Sequence, residues 1–537
     1  MIFVSEDLRF HLSNGRISYA FRVSREGMLG DLHFGSAIDK LEDSVCLPRR
    51  IYRACSLEFE GGFNYNLNDI PQEYPVFGRS DNRTPALHAI NKHGNSTFSP
   101  LYRSYSISNT KPSLGPLPSA DADGSQTLTI ILKDAVYGLQ VALHYTVYAD
   151  HDIISRSVTL TNLGDHVITL KSVQSTNLDL GTDEFDLIHF RGSWSREMEK
   201  ERHPVEQGRF VIESNRGASS NSHNPCLILA EPNTTESHGS SYSFALLYSG
   251  NHRFSVERSE YEALRVSAGI NPFNFSWQLN PSESFDSPEV AQCFSDEGLN
   301  GMSRVWHGFI NRAISPRAFR GVARPTYLNS WEALYFNVNE TAVIELAHKA
   351  KQVGVEMLVL DDGWFSGRND DTSSLGDWFA DPDKFPAGIE ATAKKVKQLG
   401  LKFGLWFEPE MVNERSALLA EHADWVLQVP HRKLSTGRQQ YILDLSNPLV
   451  IDYLYERLSA LLSSEQIDYV KWDMNRTMSE LGSTAWPAEQ QQELGHRYML
   501  GLYTLIRKVT TAFPQVLFEN CASGGNRFDL GMLSFMA

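Results

Sequence analysis

The first 295 residues alternate apolar and polar side chains in short runs that predict β-strands. Examples are residues 127–133, 139–147 and 154–161, and turn-forming residues such as 162–165 separate them. Side chains of a strand alternate faces with a period of two, so each run can bury one face and expose the other. Long amphipathic helices are scarce in this part. The pattern predicts a large antiparallel β-sandwich over residues 1–295.

From about residue 324 the pattern changes to strands that alternate with helices. Such alternation is typical of a parallel sheet, and residues 296–323 before it predict a short helical linker. The predicted strands are residues 325–331, 355–360, 403–407, 469–472 and 516–518.

Capping residues mark three of the helices in this second part. Asn339 is a suitable N-cap for a helix that Gly354 follows, and Gly400 closes the next helix. Asn447 precedes Pro448, which is the favoured order of an N-cap and a first helical residue.

Two parallel folds are compatible with this alternation. A doubly wound sheet is expected to carry a phosphate-binding glycine loop after its first strand, where this chain has Asn329-Ser-Trp-Glu332. A (β/α)8 TIM-type barrel instead places functional groups at the C-terminal ends of many strands. All five strands end in polar segments, so we expect a barrel over residues 324–537, incomplete because five of eight strands are visible. These segments are residues 329–332, 361–364, 406–410, 471–475 and 519–525.

The fourth strand end carries the clearest chemistry. In residues 469–476, Lys471, Asp473 and Asn475 alternate with apolar residues and are predicted to share one face of a strand. A neighbouring ammonium favours the ionised carboxylate, and a nucleophilic carboxylate must be ionised. The alternative is an ion pair that only ties the barrel together. Asp361 and Asp362, at another strand end, are suited to accept hydrogen bonds from sugar hydroxyls.

The composition of the chain argues against several classes of binding partner. The net charge of −16 argues against nucleic acid or an acidic membrane, and no apolar run is long enough to span a bilayer. The N-terminus lacks the pattern of a signal peptide, and the five cysteines are not in metal-ligand spacing. We therefore expect a cytoplasmic protein with no metal and no cofactor.

The segment K-W-D-M-N-R at residues 471–476 resembles the nucleophile motif of the retaining α-galactosidases of glycoside hydrolase family 36. Other segments are similar in order and spacing, and together they cover nearly the whole chain. They are Q-E-Y-P-x-x-G-x-x-D-x-R at 72–83, F-R-G-S-W-S-R-E at 190–197, N-S-W-E-A at 329–333, L-D-D-G-W-F at 360–365, W-F-E-P-E-M-V at 406–412, R-x-Q-x-I-L-D-L-S-N-P at 438–448 and E-N-C-A-S-G-G-x-R-F-D at 519–529.

The resemblance implies a role for each matching residue. Asp473 is the expected nucleophile, and Asp361 and Asp362 are expected to bind the C4 and C6 hydroxyls of galactose. The remaining expected contacts are Trp331 and Trp406 lining the pocket, Arg438 and Lys471 on hydroxyls, Asn475 and Cys521 on the C2 side, Gly524 in the floor loop and Trp194 at the mouth. Asn526 replaces a glycine that many members carry, which puts the shape of the floor in doubt.

The second carboxyl group of a retaining glycosidase is not found among the 537 residues. Such enzymes need two carboxyl groups about 5–5.5 Å apart, and the family's acid/base motif, which resembles S-D-D-T-D, does not occur. Glu408, Glu410, Glu519 and Asp529 are expected to position loops instead. We therefore expect a chain truncated before its acid/base, weakly stable alone and with severely reduced turnover.

Several functions remain open at this stage. The leading expectation is hydrolysis of terminal α-D-galactosyl residues from sugars such as melibiose and raffinose. The alternatives are galactosyl transfer to another sugar, action on N-acetylgalactosamine, and a non-catalytic galactoside-binding protein. The resemblance also implies a homotetramer in which residues 69–83 approach the active site of another subunit.

Overall fold

The computed structural model describes residues 1–39, 67–78, 80–181 and 183–537. These residues form two compact units. The first unit comprises residues 1–215, 219–314 and 529–531, and the second comprises residues 216–218, 315–528 and 532–537. The predicted boundaries at 295/296 and 323/324 stay predictions.

The strands of the first unit are short and antiparallel, as the alternating pattern predicted. They are β1 (Ile2–Val4), β2 (Arg9–Ser13), β3 (Ile17–Val23), β4 (Leu29–Ser36), β5 (Leu87–Ile90), β6 (Leu101–Ser108), β7 (Ser125–Lys133), β8 (Leu139–Tyr148), β9 (Ile153–Asn162), β10 (Ile168–Leu180), β11 (Asp186–Ser193), β12 (Arg196–Pro204), β13 (Gly208–Glu213), β14 (His223–Ala230), β15 (Ser241–Leu246), β16 (His252–Arg258), β17 (Leu264–Ile270), β18 (Trp277–Leu279), β19 (Ser284–Asp286) and β20 (Val290–Ser295).

Three antiparallel sheets order these strands. The largest runs β12-β11-β14-β15-β20-β9-β8-β7-β6, with β19 beside β9, and the second runs β13-β16-β17-β10-β18, with β5 beside β10. Strands β1 to β4 form the third sheet in chain order. In β7 the alternation places Leu128, Ile130 and Leu132 in the core. The predicted antiparallel β domain is therefore confirmed.

Helix α1 (Gly298–Phe309) follows β20, and an irregular helical turn (Ile310–Ile314) ends the main part of the first unit. In the described residues, no helix is long and apolar enough to cross a bilayer. Cys226, Cys293 and Cys521 are free thiols, whereas Cys46 and Cys55 lie outside the described residues.

The second unit is built on a parallel sheet of five strands in the order β21-β22-β23-β26-β27. Its antiparallel pair, β24 with β25, lies outside that sheet. The strands are β21 (Tyr327–Asn329), β22 (Met357–Leu360), β23 (Lys402–Phe407), β24 (Met411–Asn413), β25 (Gln440–Ile442), β26 (Tyr469–Trp472) and β27 (Leu517–Asn520). The five predicted parallel strands are thus confirmed, with ends that differ by a few residues.

The remaining helices are α2 (Trp331–Leu334), α3 (Glu340–Gln352), α4 (Gly388–Gln398), α5 (Ala417–Glu421), α6 (Pro448–Leu462), α7 (Leu494–Ala512) and α8 (Leu530–Leu533). The predicted caps are confirmed. Asn339 accepts a hydrogen bond from the backbone N–H of Ala342, and Asn447 accepts one from Leu449. Gly354 and Gly400 have φ of 83° and 79°, a left-handed conformation that glycine adopts without strain.

One predicted element is shorter than expected. Strand β26 ends at Trp472, so Asp473 and Asn475 lie in the loop after it rather than on a strand face. The reason is that side chains take over the backbone donors here. The N–H of Met474 bonds to Asp473 Oδ1 at 2.9 Å, and that of Asn475 bonds to Glu408 Oε1 at 2.5 Å.

Candidate active site

The C-terminal edge of the parallel sheet gathers the polar side chains that the strand ends carry. Trp406, Lys471 and Glu519 occupy neighbouring positions in one row across β23, β26 and β27. Parallel strands share one direction, so their last residues meet at the same edge. Tertiary pairing thus brings together segments that are far apart in the sequence.

Asp361 and Lys471 form an ion pair at this edge. Lys471 Nζ donates to Asp361 Oδ2 at 2.9 Å, and Asn329 Nδ2 donates to the same oxygen at 2.5 Å. Burial opposes the charge of Lys471, but the carboxylates of Asp361 and Asp473 outweigh burial and raise its pKa above the usual value. Lys471 is therefore cationic at neutral pH. Two of its three N–H groups have no acceptor among the described residues.

Asp473 receives donors on both oxygens. Oδ2 accepts from Trp406 Nε1 at 3.2 Å and from Asn475 Nδ2 at 2.9 Å, and Oδ1 accepts from Met474 N at 2.9 Å and Ser523 N at 3.4 Å. Four donors thus surround this carboxylate. Asp473 is 6% exposed, so these contacts also fix its direction.

Asp362 has a different partner from its neighbour Asp361. Arg368 holds it with two parallel bonds, Nε to Oδ1 at 2.9 Å and Nη2 to Oδ2 at 2.8 Å. Arg368 Nη1 donates in turn to Asn413 Oδ1 at 2.9 Å. The two adjacent aspartates are thus oriented by different cations, Lys471 for the first and Arg368 for the second.

Arg438 lies on a tight turn. It and Gln439 have φ of 50° and 60°, and the backbones of Gly437 and Gln440 bond to each other across them. Two successive left-handed residues that are not glycine cost about 1 kcal/mol or more each. Asn413 Nδ2 donates to the carbonyl of Gln439 at 2.7 Å and holds this conformation. The Arg438 side chain is exposed and, within the described residues, bonds to no other group.

Glu408 is buried behind the nucleophile candidate. Its Oε1 accepts from the backbone of Asn475, and its Oε2 accepts from Gln440 Nε2 at 2.9 Å. Burial, together with the nearby Asp473 carboxylate, raises the pKa of Glu408 to about 8. Glu408 therefore holds a proton at neutral pH, a property that its sequence position did not indicate.

The loop after β27 approaches Asp473 from another side. Ser523 Oγ donates to Asn475 Oδ1 at 2.7 Å, and Ser523 and Gly524 both have positive φ, 50° and 95°. Burial, with the Asp473 carboxylate beside it, raises the pKa of the Cys521 thiol to about 12. Cys521 is therefore a neutral thiol near the carboxylate.

The three tryptophans differ in their surroundings. Trp406 is 2% exposed and bonded to Asp473, whereas the half-buried Trp331 packs edge-on against Tyr335 and Phe336. Trp194 is 71% exposed in the turn between β11 and β12, in the first unit. Its expected place at the pocket mouth stays a prediction.

The other candidate carboxylates are held by neighbouring side chains. Glu410 pairs with both terminal nitrogens of Arg527 and accepts from Trp472 and Tyr498. Glu519 accepts from the hydroxyls of Tyr327 and Tyr469. Asp529 belongs to the first unit and accepts from Ser219 and Ser249.

Four residues with polar contacts in this site escaped the sequence reasoning: Arg368, Asn413, Gln440 and Ser523. Arg368 and Ser523 lie in loops and Asn413 and Gln440 at ends of the short strands β24 and β25, and each acquires its partner only through folding. Only Gln440 and Ser523 carried a signal, since they fall within the quoted segments at 438–448 and 519–529. Among the described residues, no group of three or more His, Cys, Asp or Glu side chains is arranged to hold a metal ion.

The chain is similar to known proteins over nearly its whole length. Residues 284–537 match the Melibiase family, and residues 27–280 match the glycosyl hydrolase family 36 N-terminal domain. The chain is 43% identical over 532 residues to the α-galactosidase AgaA of Geobacillus stearothermophilus, covering 98% of this chain and 73% of that protein. It is 42% identical over 535 residues to the α-galactosidase Mel36A of Lactobacillus acidophilus, covering 97% and 72%.

Solved structures of α-galactosidases also match this chain over nearly its whole length. The crystal structure of AgaA from Geobacillus stearothermophilus matches with a TM-score of 0.96 at 43% identity, covering 98% of this chain and 74% of that one. A variant of AgaA in complex with raffinose matches with the same TM-score, identity and coverage.

Proposed function

This chain belongs to glycosyl hydrolase family 36, the family of the α-galactosidases that it resembles, and we propose that it cleaves terminal α-D-galactosyl residues with retention of configuration. Melibiose and raffinose are the proposed kinds of substrate. The structure of the similar AgaA variant with raffinose supports this class of galactoside.

Asp473 is the proposed nucleophile. One of its oxygens bonds to the anomeric carbon of galactose while the bond from that carbon to the leaving oxygen breaks, and that oxygen takes a proton from a general acid. Water then releases galactose from the covalent intermediate. No described residue is assigned as the general acid.

The proposal rests on one observation. A carboxylate that hydrogen bonds hold in place lies beside an ammonium group whose N–H groups are not all bonded. Asp473 is held by donors on both oxygens, yet Lys471 beside it keeps two N–H groups without an acceptor in the described residues. A neutral sugar with many hydroxyls satisfies such groups. Asp361, Asp362, Lys471 and Arg438 are the proposed hydroxyl contacts, with Asn475, Cys521, Gly524, Trp331 and Trp406 around the ring.

Replacing the nucleophile tests this proposal. The probe is 5-fluoro-α-D-galactosyl fluoride, because fluoride leaves without taking a proton and the second fluorine slows release of the intermediate. We expect mass spectrometry to find one galactosyl label on the peptide that contains Asp473. The Asp473→Ala variant should lose at least ~10³-fold in labelling rate, as expected when a nucleophile is removed.

Asp468→Asn is the matched control. Asp468 precedes the same strand at its opposite end, where it accepts from Lys397 and from the backbone of Phe403. It should label at the rate of the unaltered chain. Undiminished labelling of Asp473→Ala would refute the proposed nucleophile. Galactose binding without any label on the unaltered chain would favour a galactoside-binding protein instead.

A cytoplasmic location and a homotetramer are proposed as well. The free thiols of Cys226, Cys293 and Cys521 support a reducing compartment. The tetramer rests on the family resemblance alone, and light scattering of the purified chain measures it.

A further inference from the structure

A continuous series of hydrogen bonds connects Asp473 with the turn that carries Arg438. Asn475 Nδ2 donates to Asp473, the backbone of Asn475 donates to Glu408 Oε1, and Gln440 donates to Glu408 Oε2. Gln440 closes the turn of Arg438 and Gln439. Glu408 is the member of this series that joins the loop after β26 to the start of β25.

We propose that Glu408 is a positioning residue that holds Asn475, and through it the Asp473 carboxylate, in register with the turn that presents Arg438. This inference rests on the proposed galactosidase function and assigns a role to a residue that does not touch the substrate. Glu408 acts by geometry, since it is 1% exposed and each of its oxygens is bonded to a different segment of the chain.

The turn needs such a support because its backbone is strained. Two successive left-handed residues that are not glycine are maintained only when the surroundings over-determine them. Asn413 holds the turn through the carbonyl of Gln439, and Glu408 holds it through the side chain of Gln440. Loss of one support should let the turn relax and withdraw Arg438.

Glu408 can hold a proton in this geometry when the Gln440 amide is rotated. Burial and Asp473 raise its pKa to about 8, with Asp362 acting in the same direction and itself paired with Arg368. A neutral carboxyl beside the nucleophile avoids a second negative charge there. Gln440 Oε1 is buried and has no hydrogen-bond partner in the described residues. Rotation of this amide would therefore let Gln440 accept the Glu408 proton.

The same amide makes glutamine the conservative replacement at position 408. In Glu408→Gln the new side chain still accepts from Asn475 and donates to the rotated Gln440. Glu408→Ala removes both bonds, and Gln440→Leu removes only the bond to the turn. Comparison of the three variants therefore distinguishes the effect of the Glu408 hydrogen bonds from the effect of its carboxyl group.

Saturation kinetics of labelling by 5-fluoro-α-D-galactosyl fluoride tests the inference. At about pH 6, we expect Glu408→Ala to lower the maximal labelling rate about tenfold or more and to raise the half-saturating concentration. Glu408→Gln should remain within about threefold of the unaltered chain. Gln440→Leu should mainly raise the half-saturating concentration, because Arg438 moves while Asp473 does not.

The pH profile supplies a readout that a merely structural role would not change. Between about pH 7 and pH 9 the maximal labelling rate of the unaltered chain should fall as Glu408 ionises, whereas Glu408→Gln should lose this decline. Melting temperatures identify variants that do not fold. If Glu408→Ala does not fold, the Glu408→Gln profile and Gln440→Leu carry the test.

The outcomes separate the two proposals. Absence of label on the unaltered chain overturns the galactosidase function and, with it, this inference. Normal labelling of the unaltered chain together with unchanged kinetics of Glu408→Ala overturns the positioning role alone. Equal impairment of Glu408→Gln and Glu408→Ala also overturns it, because a neutral side chain that keeps both hydrogen bonds would then fail to replace Glu408. The control Asp468→Asn should match the unaltered chain throughout.

Discussion

Two buried clusters of this chain pair basic side chains with aspartates, but the two clusters have different roles. In the first unit, Arg265 pairs with both Asp81 and Asp179, Arg83 pairs with the same two aspartates, and all four side chains are 1–3% exposed. In the second unit, Lys471 pairs with Asp361 near Asp473, and the Lys471 side chain is 18% exposed.

The two clusters differ in whether the donor groups of the basic side chain all have hydrogen-bond acceptors. All three side-chain nitrogens of Arg265 have acceptors, two of them on Asp179 or Asp81 and the third on the carbonyl of Thr84. Lys471 has one acceptor among the described residues and keeps two N–H groups available. A saturated cluster holds a fold together, whereas an unsaturated one at a strand edge can bind a ligand.

The saturated cluster also changes the interpretation of the segment at residues 72–83. Its Asp81 and Arg83 are buried within the first unit, and Gln72 donates to Asp81 at 2.6 Å. These residues anchor their own loop. A role of residues 69–83 at another subunit stays a prediction, and residue 79 lies outside the described residues.

Arg265→Met gives the largest expected loss of stability. It leaves two buried aspartates with fewer partners, and breaking a buried pair on one side costs roughly 3–5 kcal/mol. Chemical denaturation measures the free energy of unfolding. Arg253→Met is the control, because its pair with Glu213 is partly exposed and worth less than about 1 kcal/mol. Labelling of Asp473 per folded molecule should not change. Equal losses in both variants would contradict the special role of the saturated cluster.

Lys471→Met should have the opposite profile. Removing one partner of a hydrogen-bonded ion pair at a binding site costs about 2–5 kcal/mol of interaction, so we expect labelling efficiency to fall at least ~30-fold. The melting temperature should fall less than in Arg265→Met, since Lys471 is partly exposed and Asp361 keeps the hydrogen bond from Asn329. Lys397→Met, which removes the pair with Asp468 at the far end of β26, is the control. A large stability loss with normal labelling would make this cluster structural as well.

Near pH 6, the smallest expected effect is an acid sensitivity that both units share. Burial lowers the pKa of His252 and His496 to about 3 and that of His144 to about 4. The unfolded chain binds protons at these residues below about pH 6.5, where the folded chain does not, so stability falls as pH drops from about 6.5 towards 3.

Denaturation at a series of pH values measures that slope. His144→Gln should reduce it in the first unit, and His496→Gln should reduce it in the second. An unchanged slope in either variant would show that the histidine does not gain its proton on unfolding.

The two parts of the chain differed in how much their sequence revealed. In the second unit, apolar runs and caps such as Asn339 and Asn447 predicted five strands and three helices, because capping and periodicity involve neighbours in the sequence. In the first unit an antiparallel β domain and three example strands were predicted, but the order of the strands was not. Strand β10, for example, pairs with β5, β17 and β18, and pairing over such separations leaves no local signal.

For the site, the sequence by itself determined which groups stand at the strand ends, including Asp361, Lys471 and Asp473, because strand periodicity and a family motif reside in short segments. Only the tertiary structure decided how those groups are held. In the folded chain Asp362 pairs with Arg368, β26 ends at Trp472, and Glu408 is buried between Asn475 and Gln440. The physical reason is that burial and hydrogen-bond partners come from segments whose approach the local sequence pattern does not specify, and they set which polar groups stay unbonded and which acid keeps its proton.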